Sequence, residues 1–133
     1  MRYALSYVST ASRGLDNSEI LNILKKTETK NNSLNITGIL LYSEGNFFQI
    51  LEGEKETISS LFKKISEDSR HFNIIKLFAK PVKQEAYDEY RSDFISEDRT
   101  YSKSTFKYYE SHIKFLDPPS QKAVSNILKA FIK

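Results

Sequence analysis

Two short runs, NITGILLYS over residues 35–43 and NFFQILEG over residues 46–53, constrain the chain more than any other feature. Both are strand-length and strongly apolar, and only Glu44-Gly45 separates them. That spacing predicts a two-residue hairpin with its strands side by side in a sheet. One residue in the second run does not fit. Gln49 falls on the same face as Phe47 and Leu51 if the strand alternates. A buried primary amide left without partners costs about 1–3 kcal/mol, so something must satisfy both of its ends.

The rest of the chain organises around this hairpin. Residues 2–9 alternate, with Tyr3, Leu5, Tyr7 and Ser9 on one face and Ala4, Ser6 and Val8 on the other, which predicts a strand. Asp16 to Glu19 offer helix-capping groups, and Ile20, Ile23, Leu24 and Thr27 follow at helical spacing. Extending that stripe by four points Asn31 the same way as the apolar residues. A second helix is expected over about residues 54–69, with Ile58, Leu61, Phe62 and Ile65 as its inner stripe. NIIKLFAKPV reads as a fourth strand ending near Pro81, and YDEYRSDFIS as a fifth. Phe106, Tyr109, Ile113 and Leu116 then fall at helical spacing. Asp117-Pro118-Pro119 makes a break and a new helix start, and Val124, Ile127, Leu128 and Phe131 form a last amphipathic stripe. The order βαββαββ followed by two helices predicts an α+β, ferredoxin-like sheet. The two interleaved helices would lie on one face and the two C-terminal helices on the other.

Composition narrows the function classes. No apolar run approaches the roughly 20 residues that a spanning helix requires, and the N-terminus enters a strand pattern without a signal peptide. The expectation is a soluble, cytoplasmic protein. The chain has no cysteine, hence no disulfide framework, thiol nucleophile or cysteine metal site. Its two histidines, His71 and His112, lie far apart in sequence, so no metal site is expected. The net charge of +3 is spread along the chain, and acids flank both Lys25-Lys26 and Lys63-Lys64. Such scatter reads as solvated helix faces rather than a nucleic-acid or membrane surface.

Four polar groups are expected to face the space between the first two helices and the sheet. They are Tyr7, Asn31, Gln49 and the Arg70-His71 pair, the last read as ending the second helix. Each alone has a plain structural alternative: a tyrosine bonded to a backbone carbonyl, an asparagine cap, a surface histidine. Convergent polar groups in an apolar pocket are the layout of a small-molecule site.

These residues carry a resemblance. Tyr7-Val8-Ser9, Asn31, Ile36-Thr37-Gly38-Ile39-Leu40-Leu41-Tyr42, the run from Gly45 to Gly53 and Asp68-Ser69-Arg70-His71 stand in the order of a known pattern. The chain resembles the BLUF family of blue-light sensors using FAD over about residues 1–95. Residues 96–133 would then form a C-terminal helical cap or output segment. The resemblance implies a non-covalently bound flavin, FAD with FMN possible, slotted between the two helices. Its ring would stack against Ile23 or Leu24 on one side and Ile65 on the other. Asn31 would bond the polar edge of the ring. Arg70 and His71 would approach the opposite carbonyl and ribityl region, with Lys64 nearer the phosphates and Asp68 on ribityl hydroxyls. The resemblance also implies that Gln49 bridges the Tyr7 phenol and the flavin, and that light drives electron and proton transfer ending in a rearranged amide.

The chain departs from that pattern on the fifth strand. The family often carries Trp, one residue, then Met there, where this chain has Tyr90 and Ser92 and no Trp at all. Both positions are implicated in coupling the glutamine to the sheet. An acylphosphatase-like enzyme is the competing reading, but it lacks a phosphate-cradling loop and a nucleophile–base pair. The single glycine near Gly14 makes no such loop, and no GxGxxG is present. An RNA-binding sheet lacks its aromatic run. The enzyme reading also has no need of inward-facing Tyr7 and Gln49; a plain interaction module is the blandest alternative, and a flavin's colour would separate it from a photoreceptor. The expectation is a non-enzymatic photoreceptor that signals through a partner protein or its own homo-oligomer.

Overall fold

A computed structural model describes residues 2–83, 89–95 and 117–131. Its elements are β1 (Arg2–Ala11), α1 (Asn17–Ser33), β2 (Thr37–Ser43), β3 (Asn46–Glu54), α2 (Lys55–Ser66), β4 (His71–Pro81), β5 (Tyr90–Ile95) and α3 (Pro118–Phe131). The fold is α+β, with one five-stranded mixed sheet ordered β4-β1-β3-β2-β5. β1 pairs antiparallel with β3 and β4, and β2 antiparallel with β3, whereas β5 joins β2 in parallel. The helix expected over residues 101–116 lies outside the described residues. Among the described residues, no helix is long and apolar enough to cross a membrane.

Local chemistry accounts for the elements. At the β2–β3 turn, Glu44 and Gly45 have φ of 47° and 84°. Two left-handed residues match the twist of a two-residue hairpin, which is why glycine serves there. α1 opens with a capping box: the Asp16 carboxylate accepts from the Glu19 N–H at 2.8 Å, and the Glu19 carboxylate accepts from the Asp16 N–H. It closes in a Schellman turn through Asn35, at φ 58°. The Ile36 N–H bonds the Asn31 carbonyl at 3.0 Å and the Asn35 N–H bonds the Asn32 carbonyl at 3.2 Å. This ending places the side chains of Asn31 and Asn32 beside the sheet.

α2 stops at Ser66, three residues short of the expected helix. The Asp68 carboxylate accepts from the Arg70 N–H at 2.9 Å, a local turn that competes with helix continuation. Arg70 therefore sits in a turn and His71 begins β4, so the pair does not end the helix.

The sheet is packed on both faces. Leu5, Leu51 and Leu40 meet Ile20 and Leu24 of α1 and Ile58 of α2 on one side. Ala4, Ile39, Leu41, Phe48, Ile50 and Phe78 meet Val124 and Leu128 of α3 on the other. α3 is anchored at its start, where the Lys80 ammonium donates to Asp117 and, at 2.8 Å, to the Ser120 hydroxyl. The Lys80 hydrogen bond lowers the Asp117 pKa to about 2.

Candidate functional site

A cavity of about 300 Å³ opens between α1 and α2 above the sheet. One wall is Ile23, Thr27 and Asn31 of α1, residues four apart on one helix face, and the opposite wall is Leu61 and Ile65 of α2. Tyr7, Leu40, Phe47 and Gln49 form the floor. Lys26, Lys30 and Lys64 are exposed at the rim, and Asp68, Arg70 and His71 close one end.

Gln49 occupies the centre of the floor. It stands directly opposite Tyr7 in the β1–β3 register and is 2% exposed. Its Nε2 donates to the Tyr7 hydroxyl at 2.5 Å, and its Oε1 accepts from the Tyr90 hydroxyl. Tyr7 and Tyr90 are 3% and 1% exposed, which keeps both phenols out of bulk water. Burial pushes both phenol pKa values well above the ordinary range, because a phenolate would lose its hydration. The amide thus sits between two neutral hydroxyls.

Asn31 is the contrasting case. Its side chain is buried on the cavity wall beside the Tyr90 hydroxyl, whose ionisation it eases, yet its Nδ2 makes no hydrogen bond of good geometry among the described residues. Buried amide donors are almost always satisfied, and because Asn31 lines the cavity a ligand acceptor there is within its reach on a small side-chain turn.

The remaining polar groups are largely used by the protein itself. The Nε2 of His71 donates to the Ile65 carbonyl at 2.6 Å, and its Nδ1 meets the Ser9 hydroxyl at 2.7 Å. Arg70 engages Asp68 through Nε and Nη2, which lowers the Asp68 pKa and raises that of Arg70.

A model of the family described as sensors of blue-light using FAD matches residues 3–93. The chain belongs to the BLUF family. Among BLUF relatives, a photoactivated adenylate cyclase subunit beta from Euglena longa is 36% identical over 83 residues, covering 62% of this chain and 10% of that protein. The blue light- and temperature-regulated antirepressor BluF of Escherichia coli K12 is 42% identical over 48 residues, 36% of this chain and 12% of its own length. The photo-activated state of BlsA superposes with a TM-score of 0.70 at 28% identity, covering 96% of this chain and 94% of that one. This chain therefore spans about a tenth of the curated relatives it matches.

FAD is the cofactor of BLUF sensors, and the residues here fit a flavin. The Asn31 amide, the apolar Ile23 and Ile65 walls and the exposed rim lysines have the chemistry that a ring carbonyl, a flat ring and phosphates would require. Of the residues singled out from sequence, Tyr7, Ile23, Asn31, Gln49, Lys64, Ile65, Asp68, Arg70 and His71 all line the cavity. Leu24 does not: one position on from Ile23, it turns into the core beneath with Leu5 and Ile20. His71 closes the cavity, but both of its ring nitrogens already have protein partners, so its polar reach toward a ligand is spent. Ser92 lies away from the cavity, its N–H and hydroxyl both donating to the Glu28 carboxylate at 2.8 Å.

Several lining residues were not singled out from sequence. Thr27 and Lys30 continue the Ile23–Asn31 face at helical spacing, a signal present in the periodicity. Leu40 lies beside Gln49 in the β2–β3 register. The resemblance linked the Tyr90 position to the glutamine, but the direct Tyr90–Gln49 hydrogen bond was not foreseen. Their strands are not neighbours, and only the order β3-β2-β5 brings the long phenol across.

Proposed function

We propose that Tyr7 and Gln49 are the photoactive pair of this BLUF sensor and that the cavity between α1 and α2 holds the flavin ring. Ile23 and Ile65 flank the ring, Asn31 donates to its polar edge, and Arg70 and Lys64 serve the ribityl and phosphate end. Asp68 acts by holding Arg70, and His71 by tying Ser9 to the end of α2. The observation that carries this reading is the buried Asn31 Nδ2, without a hydrogen bond of good geometry, on the same cavity as the Tyr7–Gln49 hydrogen bond.

Bound flavin supplies blue-light absorption and an excited state able to draw an electron from a nearby phenol. Tyr7 is the donor, since its hydroxyl is buried, neutral and bonded to the amide. With flavin bound, Tyr7 would be the group that gives up and regains the electron and proton, and Gln49, whose amide holds the Tyr7 hydroxyl, would be the group that turns. The amide is left rotated or tautomerised, with its donors turned to a different acceptor. The apolar surround of Phe47, Leu40 and Leu51 keeps water from short-circuiting the exchange.

In this reading residues 1–95 are the flavin-binding unit, with a ferredoxin-like arrangement of the first four strands, and 96–133 are a cap or output segment. α3 on the far face of the sheet is consistent with that division. The output reaches a separate signalling protein or a second copy of the chain, the cyclase and antirepressor relatives being examples of light-regulated outputs. The test is the absorption spectrum of the purified chain before and after blue light. A flavin spectrum that shifts to the red and recovers in the dark is expected, and its loss in Gln49→Leu. A colourless chain that takes up no flavin would refute the reading, and a normal shift in Gln49→Leu would refute the role of the amide.

A further inference from the structure

Gln49 lies between two phenols rather than between one phenol and a pure donor. A phenol hydroxyl both donates and accepts. Rotating the amide by half a turn would exchange its ends. Its Nε2 would then donate to the Tyr90 hydroxyl, and its Oε1 would accept from Tyr7. Both ends of the amide therefore find protein partners in either orientation, inside a core where an unpaired end is costly. An indole N–H at this position would donate only, and so would satisfy one orientation and oppose the other.

Tyr90 is also held unusually firmly for a residue on an edge strand. Its backbone N–H donates to Asn32 Oδ1 at 2.8 Å, and its backbone carbonyl accepts from Asn32 Nδ2 at 3.0 Å. Two residues on, Glu28 takes both donors of Ser92. β5 is thus paired with β2 along one edge and tied to α1 side chains along the other.

We propose that Tyr90 is the second pole of the Gln49 switch: its hydroxyl donates to one orientation of the amide and accepts from the other, while Asn32 fixes its backbone. Tyr90 is a positioning residue in this scheme, acting on the ligand through Gln49. Reversal of its hydrogen bond is delivered to a strand bonded directly to α1, the helix that also carries Asn31. The proposal rests on the light-sensing reading of the same site.

Two measurements on the flavin-loaded full chain test it. Tyrosine deuterated in the ring and placed at position 90 alone should give bands in the light-minus-dark infrared difference spectrum, marking a change from donor to acceptor. Tyr90→Trp should shorten the lit-state lifetime at least ten-fold, because the rotated amide would then face a donor. A wild-type red shift with no labelled band at position 90 overturns the second pole and leaves the sensor reading standing. So does a Tyr90→Trp lifetime equal to or longer than that of the wild type. Absence of any red shift in the wild-type chain overturns both together.

Discussion

Asn32 grips Tyr90 at both of its backbone groups, accepting from its N–H at 2.8 Å and donating to its carbonyl at 3.0 Å. One asparagine amide thereby imitates a neighbouring strand, and closes the edge of β5 that β2 does not cover. Asn32→Ala removes both bonds and should cost about 1–2 kcal/mol, the lower range for two partly exposed hydrogen bonds. Chemical denaturation gives the stability. Amide hydrogen exchange should quicken at Tyr90 and Ser92 well before it changes at Leu5 or Ile50 on the central strands.

Asn31 should matter more to the flavin than to the fold. Its Nδ2 makes no hydrogen bond of good geometry and the side chain bears only weakly on the Tyr90 hydroxyl, so Asn31→Ala should cost flavin-free stability about 1 kcal/mol. Flavin affinity should fall about ten- to a hundred-fold, the equivalent of one well-placed hydrogen bond in a dry site. Titration of flavin fluorescence checks the second effect and thermal melting of the flavin-free chain the first. A large loss of stability with unchanged affinity would show that Asn31 serves packing alone.

Gly38 and Gly45 both have left-handed backbone, with φ of 139° and 84°, but only Gly38 is crowded. A Cβ on Gly38 would lie 1.9 Å from the Ile50 carbonyl oxygen, whereas one on Gly45 would meet nothing within 4 Å. Gly38→Ala should therefore cost more than about 3 kcal/mol, combining strain with displacement of the β2–β3 ladder. Gly45→Ala should cost about 1–2 kcal/mol, from backbone strain alone. Melting temperatures of the two variants order the effects.

Tyr7 and Tyr90 set the alkaline limit. Burial raises both phenol pKa values above the unfolded value of about 10, so the folded chain holds these protons more tightly than the unfolded chain. Their contribution to stability is complete below about pH 10 and is lost as pH rises beyond it. In the native chain neither phenol should ionise with the exposed tyrosines. Tyr7→Phe should leave the phenolate absorbance gained by the native protein near pH 10 unchanged. A drop by one tyrosine's worth would show that Tyr7 is open to water.

Much of the site was legible in the order of residues because side-chain direction is a local, periodic property. Alternation put Tyr7 and Gln49 on one face, and a four-residue step put Asn31 beside Ile23 and Thr27. The same reasoning failed where a local competitor interrupted the period. The Asp68–Arg70 turn ended α2 early and moved His71 onto β4. It also failed to say how far polar groups were already committed. His71 looked like a ligand contact, yet Ser9 and the Ile65 carbonyl occupy its ring.

The sequence by itself determined the five strands and the three described helices, the Glu44-Gly45 hairpin, the family, and the inward direction of Tyr7, Asn31 and Gln49. Tertiary structure alone decided what those residues touch. Tyr90 reaches Gln49 because β5 pairs in parallel with β2 and its register sets Tyr90 beside Gly38, where no side chain intervenes. Asn32 and Glu28 reach β5 because α1 packs against that edge. Periodicity specifies a direction for each side chain. A partner 41 residues away depends on sheet order and register, which no local pattern contains.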